Sequence, residues 1–151
     1  MEVSRELEKL GTEMFGVAIL PEGIELRNAG IRRPILLLNG IFHGEAEYAL
    51  KHDLTPVIFS IDTAMDISNE AARAGKTAPV HIKIDTGMRR LGVLPGDVEQ
   101  FFGRLKELKN IKVEGVLSHF ATADSKGRGF MDEQVGAFSD VIGKIRSMGF
   151  S

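Results

Sequence analysis

Apolar residues in this chain fall into five short runs, each followed by a stretch with helical spacing. The runs cover residues 14–20, 34–38, 55–61, 79–84 and 111–117. They are dense in Val, Ile, Leu and Phe and show little polar alternation, which is how strands buried on both faces read. Between them the spacing changes to that of helices. Val3, Leu7 and Leu10 share one face, as do Phe101, Leu105 and Leu108, with Lys and Glu opposite. The last segment, roughly 131–148, places Val135, Phe138, Val141, Ile142 and Ile145 on one stripe. Gly11, Gly30, Gly75 and Gly149 stand where these helices are expected to stop. Pro21 suits the first turn of the second helix.

The predicted order is α–β–α–β–α–β–α–β–α–β–α. Strict alternation with helix-length crossovers demands parallel strands joined by right-handed connections. That leaves an open doubly wound sheet or a (β/α)8 barrel. No G-x-G-x-x-G follows any of the runs, which weakens the dinucleotide-binding version of the open sheet. Five strands are too few to close an eight-stranded barrel. A barrel parent therefore implies about five consecutive units of the eight, with two open sheet edges.

Composition narrows the function classes. The 151 residues suit one domain, and 43% apolar with 26% charged residues is ordinary for a globular chain. A formal net charge of -2 supplies no basic field for nucleic acid or an anionic membrane. No apolar run approaches the length of a membrane span, and the first residues lack the apolar stretch of a signal peptide. Cysteine is absent, which removes disulfides and thiolate chemistry. A cytoplasmic location is the expectation.

The candidate chemistry follows the fourth and fifth runs, in residues 81–92 and 117–124. In barrels and open parallel sheets alike, ligand sites form at those strand ends. Lys83 lies inside an apolar strand, where an unpaired ammonium is costly, so it must be paired, shifted in pKa or modified, unless it snorkels from the strand end. Arg90 offers a planar, permanently charged fork that can address two oxygens, against the plainer reading of a solvated loop arginine. His119, at a strand end, could be a base, a ligand, a stacking partner or a hydrogen-bonded structural histidine. No His, Asp or Glu stands at metal-ligand spacing from it, so no metal site is expected. Asp124 adjoins the loop-like Ser125-Lys126-Gly127-Arg128-Gly129 and reads equally as a turn residue. Leu38 ends a strand, where a leucine is usually core. Asp85 and Thr86 are expected to shape a turn rather than react.

Two of these stretches carry a resemblance. His81-Ile82-Lys83-Ile84-Asp85-Thr86-Gly87-Met88-Arg89-Arg90-Leu91-Gly92 resembles the K-x-D-T-G-M-x-R-x-G segment of alanine racemases. Ser118-His119-Phe120-Ala121-Thr122-Ala123-Asp124 resembles the T/S-H-F-A-x-A-D segment of the same family. Phe15-Gly16-Val17-Ala18-Ile19 with Glu22-Gly23 resembles that family's second barrel strand and turn, and Pro34-Ile35-Leu36-Leu37-Leu38 its third. The resemblance covers essentially the whole chain. It implies a (β/α)8 barrel that binds pyridoxal 5'-phosphate (PLP), a C-terminal β-domain and a head-to-tail homodimer. The implied reaction interconverts L- and D-alanine and supplies D-alanine for peptidoglycan.

The resemblance also assigns roles. Arg90 would contact the PLP phenolic oxygen and the substrate carboxylate. Lys83 would be carbamylated and hold Arg90. His119 would stack on the pyridine ring, Leu38 would pack near the cofactor, and Asp124 would line the substrate corridor. The family's cofactor lysine lies in a V-K-A-N-A-Y-G-H-G segment on the first barrel strand, which does not occur among these 151 residues. The opposite-face tyrosine comes from the C-terminal domain of a partner subunit, and Tyr48 matches no such role. The expectation is therefore a piece of the barrel, 1–151, without the first strand, the last two strands and the C-terminal domain, and inactive by itself. A serine racemase, a PLP-barrel decarboxylase or carrier, and a non-catalytic α/β module are the alternatives.

Overall fold

A computed structural model describes residues 1–150. Its elements are α1 (Glu2–Lys9), β1 (Phe15–Val17), α2 (Leu20–Asn28), β2 (Ile35–Leu37), α3 (Ala46–Lys51), β3 (Thr55–Ile58), α4 (Ile61–Arg73), β4 (Ala78–Lys83), α5 (Val98–Leu105), β5 (Ile111–Leu117) and α6 (Gly129–Ser147). Every strand pairs in parallel with the next, giving one sheet in the order β1-β2-β3-β4-β5. A doubly wound sheet reverses its strand order at a switch point. An unreversed order is that of successive barrel units, with β1 and β5 as edges.

The five apolar runs all become strands, but two are shorter than their hydrophobicity suggests. Leu20 and Ile61 open helices instead of ending strands. At the first break, Ala18 and Ile19 donate their backbone N–H groups to the Glu22 carboxylate at 2.8 and 3.3 Å. This side-chain acceptor replaces the sheet ladder and turns the chain into α2. Gly11, Gly30, Gly75 and Gly149 follow their helices with φ of 94°, 91°, 63° and 85°, as expected for helix-stopping glycines.

Two cores lie on the helix-covered side. Phe15, Leu20, Ile31, Ile35, Leu37, Ala49 and Leu54 pack β1 and β2 against α2 and α3. The larger core sets Ile58 of β3 and Val80, Ile82 and Ile84 around β4 against Ala64, Ile67, Phe102, Leu105, Val141 and Ile145. Because side chains alternate along a strand, His81 and Lys83 project to the opposite, barrel-interior side. The stripe expected on α6 needs correction. Val135 is exposed, whereas Gln134 is buried with Val141 and Ile145. Along α1 and its C-cap, Val3, Leu7 and Leu10 are exposed. Polar contacts hold α1 in place. Arg5 donates to the Ala29 carbonyl, and Glu8 accepts from the Arg32 and Arg33 amides. Among the described residues no helix is long and apolar enough to cross a membrane.

Phe102 is fully buried and meets Phe150 edge-on at 4.9 Å between ring centroids. Truncation to alanine leaves a ring-sized void between α5 and the chain end. Phe102→Ala should lower the urea unfolding free energy by about 3–5 kcal/mol. A loss under about 1 kcal/mol, the range of surface changes, would contradict this placement of the core.

Candidate functional site

The segment leaving β4 is a closed loop with a cinched neck. Val93 donates its N–H to the Lys83 carbonyl at 2.8 Å, and Asp85 donates to the Val93 carbonyl at 2.9 Å. Gly92 passes directly over that neck. A Cβ there would lie 2.4 Å from the Asp85 backbone nitrogen and 2.8 Å from the Ile84 carbonyl carbon, and its φ is +142°. No side chain fits this approach. Inside the loop, the Asp85 carboxylate accepts from the amides of Gly87 (3.0 Å), Arg89 (2.9 Å) and Arg90 (2.7 Å). Burial alone would raise its pKa, but these N–H groups and that of Met88 outweigh burial and hold it below the usual carboxylate value. The turn-shaping role expected for Asp85 is therefore what its contacts perform. Arg89 takes a left-handed φ of 51°, and Arg90 follows it at the exposed rim.

The segment leaving β5 is held beside this loop. Thr86 Oγ1 and Ser118 Oγ lie 2.8 Å apart. Gln134 reaches in from α6, donating from Nε2 to Thr86 Oγ1 and to the His119 carbonyl, both at 3.0 Å. Its Oε1 accepts from the Ala121 amide at 2.9 Å. Gly87 leaves room for this helix, since a Cβ there would stand 2.7 Å from the Phe130 ring.

Lys83, Asp85, Met88, Arg90, Leu91, Ser118 and His119 thus line one crevice at the strand C-terminal ends. Three of the five expected site residues, Lys83, Arg90 and His119, are brought together there. Arg90 and His119 are exposed, whereas Lys83 is only 7% exposed. Burial first, then the like charge of Arg90, pushes the Lys83 ammonium toward its neutral form, against a smaller opposing pull from Asp85. None of the ion pairs among the described residues involves Lys83 or Arg90. The crevice therefore holds two neighbouring cationic side chains whose nearest carboxylate is committed to backbone amides. Such a pair suits an anion that meets the exposed Arg90 at the rim, or a modification that reverses the charge of the buried Lys83.

The remaining two residues lie apart from that crevice. Leu38, half-buried just beyond β2, packs within 3.0 Å of where a Cβ on Gly16 of β1 would be. Asp124 is exposed in the turn after β5, where Ser125 donates to the Thr122 carbonyl. Tyr48 is an exposed residue of α3. Among the described residues no group of three His, Cys, Asp or Glu side chains is placed to hold a metal ion.

Gln134 is the residue that sequence reasoning missed. A polar residue beside Val135 reads as the solvated side of a helix. Yet positions 134, 138, 141 and 145 step by four, three and four, which is the spacing of one helical face. A glutamine in register with Phe138, Val141 and Ile145 is the available signal.

Comparison with known proteins adds the family. Residues 1–151 match the family model described as "Alanine racemase, N-terminal domain". The chain is 42% identical over 153 aligned positions to the alanine racemase of Geobacter sulfurreducens, covering 99% of this chain and 40% of that protein. The solved alanine racemase of Clostridium difficile 630 in complex with cycloserine superposes with a TM-score of 0.95 at 36% identity, over 99% of this chain and 42% of that one. A histidine racemase from Leuconostoc mesenteroides has a TM-score of 0.81 at 25% identity, over 90% of this chain and 37% of that one. The chain thus spans about 40% of the length of the curated relatives it matches.

Two outcomes test the loop. Gly92→Ala should destabilise the chain by on the order of 2 kcal/mol or more, because the neck must open to admit a Cβ. A neutral result would contradict the close approach. The lowered pKa of Asp85 contributes stability that is present above its ordinary value of 3.8 and lost as pH falls through the folded value. In Asp85→Asn, urea unfolding midpoints followed down into the acid range should fall less steeply than in wild type. An unchanged acid limb would remove Asp85 as the group that fixes the loop.

Proposed function

The chain belongs to the family of alanine racemase N-terminal domains, and from that premise we propose that it supplies one wall of the site of a PLP-dependent racemase that interconverts L- and D-alanine. The observation that carries this reading is the crevice in which Arg90, Lys83 and His119 meet at the ends of β4 and β5. Five consecutive parallel β/α units of a (β/α)8 barrel place it there.

The residues present fit the cofactor chemically. Arg90 is an exposed guanidinium with no carboxylate partner among the described residues, available to the oxygens of an anionic ring and of a substrate carboxylate. His119 offers an exposed imidazole for flat packing on an aromatic ring, and Leu38 adds apolar surface at the same end of the sheet. PLP, when bound, withdraws electrons from the substrate Cα and so acidifies its Cα–H bond. The role of this chain is to orient the substrate carboxylate and keep it oriented while that proton leaves one face and returns to the other.

Lys83 fits a carbamate. Burial and the like charge of Arg90 lower the cost of reaching the neutral amine. That amine attacks carbon dioxide, the new N–C bond forms and one proton is released. The ammonium is thereby replaced by an anion beside Arg90, and the like-charge contact becomes an ion pair. Asp124, exposed after β5, borders the substrate corridor in this reading.

The other parts of the site are proposed to lie outside these 151 residues. They comprise the cofactor-anchoring lysine on the first barrel strand, the last two strands, the C-terminal β-domain and a tyrosine from the partner subunit of a homodimer. A cytoplasmic enzyme that supplies D-alanine to the cell wall is the setting. A second substrate keeps some support, because a histidine racemase shares this fold.

Two measurements test the reading. The 151-residue chain, supplied with PLP, should interconvert L- and D-alanine no faster than PLP alone, and measurable excess turnover would contradict the division of the site. In a complete racemase built on this chain, Arg90→Ala should lower kcat/KM for alanine on the order of 10²-fold, the scale of a lost orienting contact. A change under about threefold would contradict the role given to Arg90.

A further inference from the structure

Gln134 is 1% exposed and is the only polar residue buried on α6 among the described residues. Its amide is bonded on both sides. The Ala121 N–H can only donate and the His119 carbonyl can only accept, so the orientation of the amide is fixed. A flipped amide would set donor against donor. Thr86 Oγ1 accepts from Nε2 and also lies 2.8 Å from Ser118 Oγ, so the same hydroxyl joins the amide to the start of the segment after β5. One amide therefore grips the backbone of the residue that carries the His119 imidazole. It also grips the residue that begins the turn ending in Arg90.

We propose that Gln134 is a positioning residue of the racemase site, setting the separation of the His119 segment from the Arg90 loop through a fixed amide that touches neither substrate nor cofactor. The proposal rests on the racemase reading above and adds the element that holds its two motifs in register. The segments after β4 and β5 leave adjacent strands, but β-ladder bonds stop where the loops begin. Beyond that point the cross-links are the Thr86–Ser118 contact and the Gln134 amide. A leucine at 134 would fill the same stripe but strand the Ala121 N–H and the His119 carbonyl without partners. A glutamate has the same shape. It still accepts from Ala121 but turns a second acceptor on the His119 carbonyl.

The test uses a complete racemase built on this chain, with Gln134→Glu, Gln134→Leu and Thr86→Val. The readouts are the PLP dissociation constant from cofactor absorbance, kcat and KM for alanine across pH, and the thermal unfolding midpoint. Gln134→Glu is expected to weaken PLP binding and lower kcat/KM each on the order of tenfold, the size of one disrupted buried hydrogen bond. Part of that loss should return toward acid pH, relative to wild type at the same pH, as the carboxylic acid regains a proton to donate to His119. Thr86→Val removes the Gln134 arm to this loop together with the Thr86–Ser118 contact, leaves the Ala121 and His119 bonds in place, and should shift both readouts the same way. Should Gln134→Glu fail to fold, a loss in Thr86→Val with an unchanged unfolding midpoint supports the proposal, and unchanged Thr86→Val kinetics overturn it. PLP affinity and kcat/KM of Gln134→Glu within twofold of wild type would overturn it, as would losses independent of pH that follow the unfolding midpoint alone. A wild-type enzyme that neither binds PLP nor racemises alanine would instead sink the racemase reading, and this inference with it.

Discussion

The carboxylate of Asp85 organises the loop on which the site depends. It faces into the loop it begins and accepts from the amides of Gly87, Arg89 and Arg90. Without that acceptor, several backbone donors at the end of a buried strand would lack partners, and a buried unpaired donor is costly. The loop therefore closes on its own first residue. The neck between Lys83 and Val93 completes the closure, and Gly92 permits it by having no side chain. Arg90 emerges at a defined point because the backbone on either side of it is held.

The electrostatic character of the crevice follows from the same commitment. Asp85 spends its hydrogen-bonding capacity on the loop, so it leaves Lys83 and Arg90 without a bridging carboxylate. Parallel strands put the end of β4 beside the end of β5, where Ser118 and His119 emerge. The barrel-interior side of β4 brings Lys83 under that junction, while Val80, Ile82 and Ile84 face the helices. Fold and charge thus converge on one place. The result is a cationic junction at the rim of a partial barrel, suited to an anionic ring and a carboxylate.

Much of this was legible in the sequence, for physical reasons that differ by element. Strands buried on both faces must be apolar throughout, so all five runs announced themselves. Their ends did not, because Leu20 and Ile61 are apolar residues of helices that directly follow strands. Pro21, in the first turn of α2, and the Glu22 carboxylate, four residues beyond Ala18, mark the first of these breaks. Lys83 stands out as a cation in an apolar strand, and the structure buries it near Arg90. Leu38 and Asp124 are separated from that crevice, because Leu38 follows β2, two strands from β4, and Asp124 lies in an exposed turn five residues beyond His119. Gln134 escaped notice because hydrophobic patterning treats a polar residue as solvated, whereas a glutamine with all its bonds satisfied can occupy a core stripe. Helical spacing alone does not say what covers a face: Val3, Leu7 and Leu10 share a face of α1 and its C-cap, and all three are exposed.

The proposal to be tested is that this chain orients the substrate of a PLP site and does not supply its covalent anchor. Incubation of the 151 residues with PLP, borohydride reduction and peptide mapping by mass spectrometry addresses that claim directly. Scattered substoichiometric labelling of exposed lysines, with no dominant site, is expected. One stoichiometric adduct at a single lysine, Lys83 included, would show that the chain carries its own anchor and would overturn the proposal.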